Sequence, residues 1–127
     1  MTKVLILDDS DAIKTVIKTC IGTGFDCVEA RTLFEARVAL EQHLPQLAFV
    51  SDWLQDGDGF QLVREMRQGH FGPKPYVILM STEHVLLTWT HRRNNGADRM
   101  LLKPIYASEI KDCLSVWRSS DYQSAAA

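Results

Sequence analysis

Five short apolar runs punctuate this chain, and between them apolar residues recur at helical spacing. The first run, Lys3–Leu7 (KVLIL), shows no alternation with polar residues, the mark of a strand covered on both faces. From Asp11 to Cys20 the spacing changes, placing Ala12, Ile13, Val16, Ile17 and Cys20 on one stripe of a predicted helix. Gly22-Thr23-Gly24 breaks it, and Phe25–Ala30 (FDCVEA) reads as a half-polar strand near an edge. Thr32 is placed to cap a second helix, with Glu35 three residues on as its capping-box partner. That helix runs to about His43, where Pro45 stops it. Leu47–Val50 (LAFV) is the third strand. A helix over Asp58–Arg67 carries Phe60, Leu62, Val63 and Met66. A loop at 70–75 leads to the fourth strand, Tyr76–Met80 (YVILM). Residues 84–95 read as a helix ended by Asn95-Gly96. Arg99–Leu102 is the fifth strand. Ser108 is the expected cap of a last helix reaching about Arg118, with Ile110, Leu114 and Trp117 on one side.

Strands alternating with helices imply βαβ units with right-handed crossovers. The predicted fold class is α/β, a doubly wound five-stranded parallel sheet with helices on both faces. Ligands in such sheets bind beyond the carboxyl ends of the strands, where the strand order switches. That rule selects the polar residues just after each apolar run: Asp8 and Asp9, Ser51 and Asp52, Ser81 and Thr82, and Lys103 with Pro104.

Composition narrows the function. At 127 residues the chain suits one domain with a real core, expected over residues 1–118. Residues 119–127 (SSDYQSAAA) have little to bury and read as a frayed tail, a linker or a cloning remnant. A formal net charge of −2 creates no general attraction for nucleic acid or an anionic membrane, and no basic recognition helix is present. No apolar run is long enough to span a bilayer, and the first residues lack a secretory signal pattern. The three cysteines, Cys20, Cys27 and Cys113, show no metal-type spacing, and His43, His70, His84 and His91 are scattered. An odd thiol count without a secretion signal points to reduced cysteines in the cytoplasm.

The strand-end residues share a chemistry. Clustered carboxylates repel one another, and a hard cation such as Mg²⁺ relieves this. A lysine suits a phosphoryl oxygen, a hydroxyl donates to the same oxygen, and an aspartate can accept the group covalently. With LILDDS, SDW, DGFQLVREMR, VILMS and GADRMLLKP in this order and spacing, the chain resembles the response-regulator receiver domain, the CheY-like module of two-component signalling. The resemblance spans roughly residues 3–118. It implies that Asp8 and Asp9 hold Mg²⁺, with Asp9 the more direct ligand, and that the Leu54 carbonyl completes the metal site. It implies Asp52 as phosphoacceptor and metal ligand, Ser81 as switch hydroxyl and Lys103 as the family's lysine, followed by Pro104 as a cis-type proline. The donor would be a histidine kinase or a phosphotransfer protein. Output would pass to a downstream protein through the face of the fourth helix, fifth strand and fifth helix.

Two departures qualify that picture. In most receivers the loop after the acceptor reads roughly Asp-x-x-Leu-Pro-x-x-Asp-Gly. Counting back from Asp58-Gly59 lands on Ser51, and Gln55 replaces the usual proline. The local tripeptide SDW and the chemistry favour Asp52, because serine gives no labile acyl phosphate. A one-residue shift moves a side chain to the other face of the sheet, so Ser51 and Asp52 cannot share one site without a bulge. Met100 stands where the family usually carries Tyr or Phe, which weakens the expected coupling to the output face. Trp89 and Tyr106 lie near that face, and Trp89 reads mainly as core packing.

The leading expectation is therefore a phosphorylation-controlled switch, accepting a phosphoryl group on Asp52 and catalysing nothing beyond its own Mg²⁺-dependent phosphorylation and dephosphorylation. The alternative is a pseudo-receiver, the same fold with Ser51 at the site, binding proteins independently of phosphorylation. A small aspartyl-phosphate phosphatase is a third class, suggested by Asp9-Ser10-Asp11. It would need Asp11 at the site, whereas Asp11 opens the first helix.

Overall fold

A computed structural model describes residues 1–82 and 96–120. The elements are β1 (Thr2–Leu7), α1 (Asp11–Ile21), β2 (Phe25–Ala30), α2 (Leu33–His43) and β3 (Leu47–Ser51). A two-residue hairpin, β4 (Trp53–Leu54) and β5 (Gly57–Asp58), precedes α3 (Gly59–Arg67). Then come β6 (Tyr76–Ser81), β7 (Arg99–Leu102) and α4 (Ala107–Arg118). The five long strands form one parallel sheet in the order β2-β1-β3-β6-β7. β2 is an edge strand, as its half-polar sequence predicts. The helix expected at 84–95, with Trp89, lies outside the described residues.

Strand alternation divides the core into two. On one face Val4, Ile6, Leu47, Phe49, Ile78, Met80 and Leu101 pack under α1 and α4 with Ile17, Ile110, Leu114 and Trp117. On the other, Leu5, Leu7, Ala48, Val50, Val77 and Leu79 pack under α2 and α3 with Leu33, Leu40, Leu62 and Val63. The central strands read as unbroken apolar runs because each face has its own helices.

The helix ends follow local chemistry, with some shifts from expectation. Thr32 caps α2 by accepting from the Glu35 amide, while the Glu35 carboxylate takes the Arg31 amide rather than that of the cap. Asp58 caps α3 through the Gln61 amide instead of lying inside it. Ser10 caps α1. The α4 cap is Tyr106, not Ser108, because Glu109 reaches back to the Tyr106 amide and draws the first turn two residues earlier. The buried face of α1 is also rotated from the predicted stripe. Lys14, Ile17 and Ile21 are buried while Ala12 and Val16 are exposed. A lysine stem covers apolar surface as a methylene chain, which an apolar–polar alphabet does not register.

Candidate functional site at the carboxyl edge of the sheet

The alternation that builds the two cores also sorts the polar residues at the strand ends. Asp8 continues the Val4–Ile6 face, Ser51 the Leu47–Phe49 face, and Lys103 the face of Leu101. These three belong to the α1/α4 side. Strand alternation would carry Ser81 on from Val77 and Leu79, and Asp52, just past the end of β3, on from Ala48 and Val50, toward the α2/α3 side.

The contacts follow this division. Lys103 Nζ lies 2.8 Å from Asp8 Oδ2 and donates to Ser51 Oγ at 3.2 Å. Asp8 is fully buried and Ser51 is 1% exposed. Asp8 Oδ1 accepts the Ser10 amide at 2.9 Å. Asp8 Oδ2 receives no well-directed hydrogen bond, so the nearby ammonium stabilises it mainly as a counter-charge. Ser51 Oγ in turn donates to the Trp53 carbonyl at 3.3 Å. On the other side Ser81 Oγ donates to Asp52 Oδ2 at 2.7 Å, and Asp52 is half-buried. β3 makes its last ladder pair at Ser51, opposite Met80, although the Asp52 amide still reaches the Met80 carbonyl. Ser51 and Asp52 thus serve adjacent but different contacts, and no bulge is needed.

Asp9 stands apart. It is exposed, and its backbone carbonyl accepts from Arg31 at 3.0 Å. Arg31 also pairs with Asp11, as does Lys14. These cations hold the Asp11 carboxyl below its usual range, with the hydrogen bond from Lys14 the largest cause. Asp11 is therefore the exposed first residue of α1, committed to Lys14 and Arg31. The expected gathering of Asp8, Asp9 and Asp52 is not formed: among the described residues no three Asp, Glu, His or Cys side chains come together in a metal-holding group. Leu54, expected to lend its carbonyl to a metal, belongs to the hairpin opposite Gly57, and its side chain is buried in the α2/α3 core. The donor set on the α1/α4 side is one buried carboxylate, already facing an ammonium, plus a neutral hydroxyl. That set does not fit a resident divalent cation.

The loop after β3 is held by two features. A Cβ on Gly59 would fall 1.9 Å from the Ser51 carbonyl oxygen, so only glycine lets α3 start against the end of β3. Asp56, which no sequence signal singled out, clips the hairpin to α2. Its two carboxylate oxygens accept the Leu33 amide at 2.8 Å and the Phe34 amide at 3.1 Å. These bonds, the Leu33 one first, hold the Asp56 carboxyl below its usual range. Trp53, on the same hairpin, is exposed.

The peptide Lys103–Pro104 is cis, as expected. A cleft of about 450 Å³ opens beside Lys103, lined by Ala12, Ile13, Val16, Thr82, Pro104 and Ile105. Met100 packs against the α2/α3 core, and Tyr106 is exposed. The three thiols are unpaired, and burial pushes that of Cys113 up to about 11.

Residues 4–115 match the family model described as the response regulator receiver domain. The chain is 32% identical over 117 residues to the KDP operon transcriptional regulatory protein KdpE of Escherichia coli K12, covering 91% of this chain and 51% of that protein. It is 29% identical over 112 residues to the virulence transcriptional regulatory protein PhoP of Shigella flexneri, covering 85% of this chain and 48% of that one. It thus spans about half the length of these curated relatives. Among solved structures it superposes on chemotaxis response regulator CheY4 of Vibrio cholerae with a TM-score of 0.79 at 20% identity, covering 91% and 98% of the two chains. A CheY-like receiver from Methanospirillum hungatei gives 0.77 at 23% identity, covering 91% and 92%. At these identities the structural likeness speaks for the fold. No helix among the described residues is long and apolar enough to cross a membrane.

Proposed function

The chain belongs to the response-regulator receiver family of two-component signalling, and from that premise we propose that it works as a pseudo-receiver, a protein-interaction module whose partner recognition does not wait for phosphorylation. One observation carries this reading. The residue under the Lys103 ammonium, on the face shared with Asp8, is Ser51. A phosphoryl group needs the lysine beside the acceptor to neutralise its charge. Serine there offers an alcohol that would form a stable ester, and its hydroxyl is buried. The spacing back from Asp58-Gly59 selects the same residue. Partners would be those of the family, histidine kinases and downstream effectors, met here as binding surfaces.

A second reading keeps Asp52 as acceptor. Its support is the 2.7 Å bond from Ser81 and a carboxylate that solvent reaches. Intact mass after incubation with acetyl phosphate and Mg²⁺ separates the two. The pseudo-receiver reading expects no aspartyl phosphate on the wild type and a labile adduct on Ser51→Asp. A wild-type adduct that disappears in Asp52→Asn would overturn it and restore the phosphorylated switch.

A further inference from the structure

We infer that Lys103 is the built-in cation of the carboxyl-edge pocket, holding the charge role a divalent ion would otherwise fill, so that Mg²⁺ gains little there while Lys103 faces one carboxylate and a neutral Ser51. The inference rests on the reading that Ser51 is the lysine-facing residue, and it extends that reading from phosphorylation to metal dependence.

The charges add up locally. Asp8 is fully buried, and a buried carboxylate requires a counter-charge or hydrogen bonds. Its Oδ1 has the Ser10 amide, and its Oδ2 has Lys103 Nζ at 2.8 Å. The Lys103 side chain is 14% exposed, so this pair is shielded from solvent. With a serine as the third member, one negative and one positive charge cancel. An aspartate in the place of Ser51 would set a second carboxylate against the same ammonium, 3.2 Å from where Ser51 Oγ now sits. Two buried anions and one cation leave a surplus negative charge, which a hard divalent ion relieves. In the chain as it stands that surplus is absent. The other acids do not restore it: Asp52 accepts from Ser81, and Asp9 is exposed with Arg31 on its carbonyl. A divalent ion approaching Asp8 Oδ2 would have to displace an ammonium from a buried contact and would find no second buried carboxylate in return.

The test is thermal unfolding of the whole chain in EDTA and in millimolar MgCl₂, for the wild type, Ser51→Asp and Lys103→Gln. The wild type is expected to melt at the same temperature in both. Ser51→Asp should melt lower in EDTA and recover with Mg²⁺, since a ligand that binds only the folded state stabilises it by mass action. Lys103→Gln removes the internal cation and should also gain a Mg²⁺ response. Calorimetric titration with MgCl₂ should give an apparent affinity at least about tenfold weaker for the wild type than for the responding variants, a difference of ~1.4 kcal/mol. Should Ser51→Asp fail to fold, Lys103→Gln decides. A wild-type melting curve that rises with Mg²⁺ as much as that of Ser51→Asp overturns the inference. Folded variants that gain no response overturn it equally. A wild-type phosphoryl adduct without a Mg²⁺ shift in stability would refute the pseudo-receiver reading while leaving Lys103 as the resident cation.

Discussion

Two pairs of polar side chains lie at one sheet edge, yet their carboxylates differ in depth. Asp8 and Lys103 form a charge pair whose carboxylate is fully buried and whose lysine side chain is 14% exposed. Asp52 and Ser81 form a part-buried hydrogen bond in which the serine is buried and the aspartate partly so. Depth decides what each pair can do. A buried carboxylate must be neutralised permanently, so its partner becomes part of the fold. A partly buried carboxylate keeps some contact with solvent, so a neutral hydroxyl can serve as its partner. Lys103, expected to serve a transferred phosphoryl group, faces Asp8 and Ser51, while Asp52, expected to accept that group, takes its hydrogen bond from Ser81.

Breaking the buried pair should have the largest effect. Lys103→Met leaves Asp8 uncompensated and is expected to cost about 3–5 kcal/mol of folding free energy. Urea unfolding measures it, and adding Asp8→Asn in the same chain should recover much of the loss. If the double variant is no better than the single one, packing rather than charge holds Lys103 in place.

The hairpin that carries the rim should show an intermediate effect. Asp56→Ala removes acceptors from two amides at the start of α2. Thr32 still caps that helix and solvent reaches Asp56, so the loss should fall in the lower half of the ~0.5–2 kcal/mol usual for a cap. Its pH dependence has a definite sign. The folded carboxyl is held below its ordinary value. Its contribution is therefore full above the unfolded pKa of about 4 and is lost as pH falls through the lower folded value. The wild type and Asp56→Ala should differ near neutrality and converge in acid. A difference that stays constant down to low pH would mean that the charge on Asp56 is not what holds the hairpin.

The smallest effect is expected at Ser81. Ser81→Ala should change stability by about 1 kcal/mol, the scale of one part-buried hydrogen bond. The matching double-mutant cycle with Asp52→Asn reads the coupling directly. A coupling as large as that between Asp8 and Lys103 would erase the distinction between the two pairs.

Most of the fold was legible because both faces of the central strands are covered, which leaves runs such as KVLIL and YVILM unbroken. The hairpin of β4 and β5 was not, because two-residue strands rich in Asp and Gly have no period to read. The burial of Lys14 was missed because its methylenes, not its charge, meet the core. At the site, the strand ends named residues that the structure brings into contact, but not which of them meet. Whether Ser51 or Asp52 faces Lys103 depends on which residue closes the β3 ladder, and apolar patterning locates a strand end only to within a residue or so. Asp56 gave no signal, since its partners are backbone amides 23 and 22 positions away, at Leu33 and Phe34.

That long reach has a kinetic consequence. The amides of Leu33 and Phe34 belong to the first turn of α2, where no intrahelical acceptor exists for them. Both are capped by a carboxylate carried on another segment. Their protons should exchange faster whenever the hairpin lifts away, however tightly the rest of α2 is wound. Two amides in one helix therefore act as a clock for the opening of a different part of the molecule, the strip of chain that bears Trp53 and borders Asp52.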